Sequence, residues 1–73
     1  METIFEIYNT VALLTNLPNE KLVKGSIGTI VEVLDDSTFL VEFSDNNGIA
    51  YAFVELKSTQ ILKLYHELVE EYA

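Results

Sequence analysis

Cysteine, tryptophan and arginine are absent from this sequence of 73 residues, and proline occurs once. Without cysteine there can be neither a disulfide framework nor a thiolate metal site, so packing alone has to hold the fold together. The absence of cysteine also fits a reducing cytosol. Without arginine, the bidentate side-chain contacts that many proteins make to phosphate or guanine are excluded.

Positive charge is also scarce. Four lysines face twelve acidic residues, and the formal net charge is −8. A protein that binds a polyphosphate backbone needs clustered cations to displace the condensed counterions. The composition therefore makes nucleic acid an improbable ligand and favours a basic protein partner, attracted by complementary charge.

Long apolar runs are missing as well. The longest, such as residues 49–54, have six residues, far below the ~20 that a membrane-spanning helix requires. The first residues contain two acids, Glu2 and Glu6, and no cationic stretch, so no secretion signal is predicted. We expect a single cytoplasmic domain over residues 1–73 that does not enter a membrane.

What is present is a pattern of short strands. An apolar run at 11–14 predicts the first strand, and Gly25 and Gly28 lead into a β-branched second strand at 28–34. Residues 39–44 alternate cleanly, with Phe39, Val41 and Phe43 on one face. A hairpin turn at 45–48 follows, because Asn-Gly is a strong hairpin signal. It leads into a fourth strand at 49–54, whose inward face the alternation of large and small residues leaves open.

Two interpretations compete after residue 57. In one, residues 58–60 form a single helical turn, residues 61–64 form a fifth strand that closes a small barrel, and a short helix follows from about Tyr65. In the other, a single helix runs from about Ser58 to Tyr72, because apolar residues recur there at helical spacing. We favour the first interpretation, since five short strands would complete an antiparallel β-barrel.

The order of these motifs resembles a small bacterial family described only as domain of unknown function 4926. The resemblance rests on the following residues: 8–14, Leu17-Pro18, Leu22, 25–33, 41–43, Asp45 with Gly48, and Tyr51-Ala52 leading into Leu56-Lys57. It covers roughly residues 5–64 and implies an SH3-like small β-barrel. It implies no established activity, although members are sometimes encoded beside a toxin-like protein. Residues 65–73, the expected helical extension, lie beyond the usual end of the family pattern.

No catalytic or metal-binding constellation emerges from the sequence. The only histidine, His66, is four residues from Glu70, which on a helix is half a metal site without a third ligand. We interpret that pair as part of a solvated helix face. Asp35 and Asp36 are adjacent and belong to a turn, so they cannot converge on a substrate as a general acid and base would. We therefore expect no enzyme activity, no cofactor and no metal.

Apolar residues on the side of the sheet facing away from the core remain to be explained. Ile30, Leu34 and Leu40 alternate with Glu32 and Glu42 and are predicted to point outward. One interpretation covers them with the N-terminal segment and the C-terminal helix. The other makes part of this surface an interface with an acidic rim. The candidate partner-binding residues are Glu32, Leu40, Glu42, Tyr51, Tyr65, Glu67, Leu68, Glu70 and Tyr72.

These observations lead to one functional hypothesis and two competitors. The hypothesis is a non-catalytic protein-interaction module that binds a basic protein, with an antitoxin- or immunity-like protein as its concrete form. The first competitor is an accessory or structural subunit of a larger bacterial complex, and homo-oligomerisation is compatible with either. The second, disfavoured by charge, is a nucleic-acid-binding protein.

Overall fold

The computed structural model describes residues 4–45 and 47–65. The fold is mainly β, as predicted, and its strands lie close to the expected positions. They are β1 (Thr10–Leu13), β2 (Ile27–Asp35), β3 (Thr38–Ser44), β4 (Ala50–Lys57) and β5 (Ile61–Leu64), with short 3-10 turns at Pro18–Glu20 and Ser58–Gln60.

The five strands form one antiparallel sheet in the order β4-β3-β2-β1-β5. Strands β2, β3 and β4 are a meander, and β5 returns to pair with β1. Within the described residues β4 and β5 are the two edges and do not pair with each other. The prediction of a closed barrel is therefore wrong: the five strands form an open sheet.

The end of the described chain decides between the two C-terminal interpretations. Ser58–Gln60 is a 3-10 turn, and Ile61–Leu64 is a strand whose residue Ile61 pairs with Leu13. The single helix from Ser58 to Tyr72 is thus wrong, because pairing with β1 satisfies the backbone and buries Ile61. Of the predicted extension at 65–73, only Tyr65 lies within the described residues.

The core lies on one face of the sheet. Phe39, Val41 and Phe43 alternate inward along β3, as predicted. They meet buried residues from the other strands and from the loop after β1: Val11, Leu13, Leu22, Ile30, Leu56 and Ile61. A single apolar cluster therefore contacts all five strands.

Irregularities in β2 change which of its residues face the core. The register with β3 shifts between Ile30 and Glu32, and again between Val33 and Asp35. Each shift adds one residue to β2 and resets the alternation. The prediction that Ile30 points outward with Glu32 is consequently wrong, since Ile30 is fully buried opposite Val41.

The N-terminal segment covers the core face rather than the opposite one. The ring of Phe5 packs against the core, with its centroid 5.2 Å from that of Phe39. Tyr8 has a positive φ of 72°, and its backbone N–H donates to the carbonyl of Ile30 at 2.6 Å. Ile4 and Tyr8 themselves remain exposed. The expected cover over the outward apolar residues is therefore not provided by this segment.

Candidate functional site

The surface of interest is the side of strands β2–β4 that faces away from the core, which we call the outer face. Its pairing register aligns side chains in rows across the strands. One row runs Glu32, Leu40, Glu55, and the next runs Thr29, Glu42, Phe53. With Tyr51, these residues make up the outer face.

Three glutamates surround one half-buried leucine on the outer face. Leu40 has Glu32 as its direct partner on β2 and Glu55 as its partner on β4. Glu42 is the next outward residue along β3. Directly paired residues on a sheet lie about 5 Å apart, so Glu32 and Glu55 flank Leu40 on its two sides, and Glu42 follows on the same strand. The outer face therefore presents three acidic side chains, which would attract a cationic group.

Two aromatic side chains adjoin these carboxylates. Phe53 is 60% exposed and Tyr51 is 55% exposed, both on β4. Phe53 is the direct partner of Glu42. Large exposed aromatic residues beside charged ones are typical of interfaces, in which an apolar centre is ringed by polar groups.

The outer face ends at a third row, formed by Asp35, Thr38 and Lys57. The Lys57 ammonium donates to Thr38 Oγ1 at 3.0 Å. The pKa of the Asp35 carboxyl is lowered, chiefly because the backbone N–H of Ser37 donates to it, and also by the Thr38 hydroxyl and the charge of Lys57. Lys57 is thus already engaged at the margin of the acidic cluster.

The structure brings together only some of the predicted partner-binding residues. Glu32, Leu40 and Glu42 are neighbours on the outer face, and Tyr51 lies on the adjacent β4. Tyr65 follows β5 at the opposite edge of the sheet, where the Lys63 ammonium is 5.2 Å from its ring centroid. The remaining predicted residues lie outside the described part of the chain: Glu67, Leu68, Glu70 and Tyr72.

Phe53 and Glu55 belong to the outer face, but sequence reasoning did not select them. The sequence alone does not indicate which face of β4 points inward, because its residues alternate between large and small. The structure directs Ala52 and Val54 towards the core, opposite Phe43 and Val41. The signal was available: β3 already supplies bulky inward residues, so small partners on β4 complete the packing.

Other functional classes receive no support from the described residues. Within residues 4–45 and 47–65, no group of three acidic, histidine or cysteine side chains lies together as a metal site would require. None of the helices in the described ranges is long and apolar enough to cross a membrane. The predicted half-site of His66 and Glu70 falls outside these ranges.

Comparison with known proteins places the chain in a family but not in a functional class. No match was found among curated proteins or among solved structures. Residues 7–63, which span all the strands except the last residue of β5, match a family model. The chain belongs to the family described as domain of unknown function (DUF4926).

Proposed function

We propose that the protein is a non-catalytic interaction module of the bacterial cytoplasm that binds a basic protein through the outer face. The observation that carries the proposal is the joint presence of Glu32, Glu42 and Glu55 with exposed Phe53 on neighbouring strands. Carboxylates would steer a cationic partner towards the face. Burial of the aromatic and aliphatic groups would then supply affinity.

The proposal includes an SH3-like arrangement of the five strands as the finer description of the fold. Supporting features are the β2–β4 meander, the 3-10 turn at Ser58–Gln60 and the return of β5 to β1. The bulges in β2 are also consistent with it, since bulges bend a strand and increase its twist. An SH3-like assignment does not itself imply a ligand.

The concrete form of this function is an antitoxin- or immunity-like protein that occludes a basic surface on its partner. An accessory role in a larger complex would use the same outer face. The two differ in whether the partner loses an activity when bound, so the partner's activity has to be assayed with and without the protein.

The test begins with affinity capture of partners from native lysate, followed by measurement of affinity for the captured protein. The variant Glu32→Gln/Glu42→Gln removes two charges from the outer face. The matched control Glu6→Gln/Glu20→Gln removes two charges from exposed positions elsewhere. Both variants have the same net charge, so only the location differs.

We expect the outer-face variant to lose about tenfold or more in affinity, or ~1.4 kcal/mol, and to bind with a weaker dependence on salt. The control should change affinity less than about twofold. Equal losses in the two variants would contradict the proposal. So would tight binding of the protein to DNA or RNA oligonucleotides that weakens steeply from about 50 to 200 mM salt.

A further inference from the structure

Strand β4 offers an open hydrogen-bonding edge next to the outer face. It has eight residues, Ala50–Lys57, and is the last strand on its side of the sheet in the described chain. β5, the strand at the other edge, has only four residues. Natural proteins commonly protect a long edge strand with charged side chains, proline, a central bulge or a covering segment. β4 carries two charged residues, Glu55 and Lys57, but contains no proline, and its register irregularity lies at its first residues, opposite Ser44.

The register shows which backbone groups of β4 face this open edge. The N–H of Ile30 donates to the carbonyl of Asn9, and the carbonyl of Ile30 accepts from Tyr8. Ile30 thus directs its backbone groups away from β3. Val41, its partner on β3, must direct its own groups towards Val54 on β4, because bonding direction alternates along antiparallel strands.

Alternation along β4 then fixes the neighbouring residues. Since Val54 bonds to β3, the backbone N–H and carbonyl groups of Phe53 and Glu55 point to the open edge. The side chains of these same two residues lie on the outer face. Val54, which lies between them, and Ala52, which precedes Phe53, point to the core and are only half-buried.

An added strand at this edge would therefore meet two different environments. On the core side it would lie beside the half-buried Ala52 and Val54, which favour apolar side chains. On the outer side it would lie beside Phe53 and Glu55, with Glu42 one strand further in. A segment that alternates apolar and basic residues complements both sides, since lysines would face the glutamates.

We propose that β4 binds an extended segment of the basic partner as a sixth strand, with apolar residues inward and cationic residues over the outer face. The inference rests on the proposed function and specifies how the partner is held. Backbone pairing at Phe53 and Glu55 would contribute affinity independent of the partner's side chains, and the alternation would supply selectivity.

The test uses a synthetic peptide of four Val-Lys repeats, blocked at both ends, as the probe. A block peptide of four valines followed by four lysines has the same composition and charge but no alternation. Backbone amide exchange of the wild-type chain is measured by NMR with and without each peptide. We expect the alternating peptide to slow exchange of the Phe53 and Glu55 amides by roughly tenfold or more, and the block peptide to leave them unchanged.

Two variants separate backbone pairing from charge. Glu55→Ala removes the carboxylate and retains the N–H, whereas Glu55→Pro removes both. Proline is tolerated on an edge strand where its missing N–H would face solvent, so the β3–β4 ladder should persist, as its amide signals would show. We expect Glu55→Pro to bind the alternating peptide at least about tenfold more weakly than Glu55→Ala.

Several outcomes would overturn the inference. The inference fails if the alternating peptide does not bind, or if the two peptides bind equally well. It also fails if Glu55→Pro and Glu55→Ala bind the alternating peptide with equal affinity, or if the peptide binds without protecting the Phe53 and Glu55 amides from exchange. Protection that appears without peptide and rises with protein concentration would identify a second copy as the occupant. Each of these results leaves the proposed function standing if Glu32→Gln/Glu42→Gln still weakens binding of the captured partner.

Discussion

The ring of Phe43 lies against the bare backbone of Gly28. A β-carbon built on Gly28 would be 2.9 Å from Phe43 Cε1, 2.7 Å from Val41 Cγ1 and 2.9 Å from the Glu42 carbonyl oxygen. These positions are paired across β2 and β3, and Phe43 is fully buried. Gly28 is therefore required because it lacks a side chain, which allows the core to pack onto β2.

We predict that Gly28→Ala destabilises the protein by about 1–3 kcal/mol, the usual cost of overpacking a core. The backbone oxygen of Glu42 cannot move aside without disturbing the sheet. Urea denaturation of wild type and variant measures the free energy of unfolding. The Gly28→Ala substitution should cost less in a Phe43→Leu background than in the wild type. The two costs are the difference between the double variant and Phe43→Leu, and the difference between Gly28→Ala and the wild type. A loss below about 0.5 kcal/mol would show that the strands separate easily here.

The Asp35 carboxylate makes the stability of the fold depend on acid pH. Its pKa is lowered in the folded protein, first by the Ser37 N–H and then by the Thr38 hydroxyl. Because the pKa of Asp35 is lower in the folded state than in the unfolded state, the ionised carboxylate stabilises the fold. This contribution is fully present at a pH above the unfolded-state pKa of about 4, and it is lost as the pH falls through the folded-state pKa. The stability difference between wild type and Asp35→Asn should therefore shrink as the pH drops from 6 towards 2.

The measurement is the free energy of unfolding as a function of pH, together with an NMR titration of Asp35. Thr38→Val serves as a graded control, because it removes the hydroxyl donor and retains the backbone N–H donors of Ser37 and residue 38. The pKa of Asp35 should rise in that variant but stay below its ordinary value. A difference between wild type and Asp35→Asn that does not vary between pH 6 and 2 would contradict this account.

Most of the fold was predictable from local signals, and the exceptions have a shared physical origin. Alternation along β3 correctly identified Phe39, Val41 and Phe43 as inward. The burial of Ile30 was mispredicted because the bulge that follows it is a feature of the pairing between β2 and β3, which the periodicity of β2 alone does not report. The open sheet in place of a closed barrel is likewise a matter of pairing between strands.

The candidate site was predictable in part for the same reason. Glu32, Leu40 and Glu42 were identified from the alternation along β2 and β3, and the pairing of these two strands brings them together. Phe53 and Glu55 were missed because the packing of Ala52 and Val54 against β3, not their own pattern, determines which side of β4 faces out. Tyr65 was grouped with the site as the start of the expected C-terminal helix, and β5 places it at the opposite edge of the sheet.

Asp45 organises the turn between β3 and β4. Its Oδ1 accepts the backbone N–H groups of Asn47 at 2.9 Å and Ile49 at 3.0 Å, and the Gly48 N–H donates to its carbonyl. Asp45→Ala should cost about 1 kcal/mol, since these bonds are exposed, which lowers the melting temperature by roughly 4–8 °C in a domain of this size. Asp45→Asn retains Oδ1 and should lose less than half as much. Equal losses would show that charge, rather than the acceptor, matters.

The N-terminal segment contacts the core through the ring of Phe5. Phe5 stacks at a tilt of 52° on Phe39, and the Lys63 ammonium donates to the neighbouring Ile4 carbonyl at 2.9 Å. Because Phe5 is half-buried, Phe5→Ala should destabilise the protein by about 1–3 kcal/mol, less than truncation of a fully buried ring. Ile4→Ala removes an equally apolar but 69% exposed side chain, and should change stability by under about 0.5 kcal/mol.

Thermal and urea unfolding of both variants test this prediction, and proteolysis of the folded protein adds a local readout. If Phe5 anchors the segment, Phe5→Ala should also expose residues near the N-terminus to cleavage under conditions where Ile4→Ala does not. Similar stabilities for Phe5→Ala and Ile4→Ala would mean that the segment does not contribute to the core. In that case Phe39 would be covered adequately by Val33 and Leu56, its paired neighbours on β2 and β4.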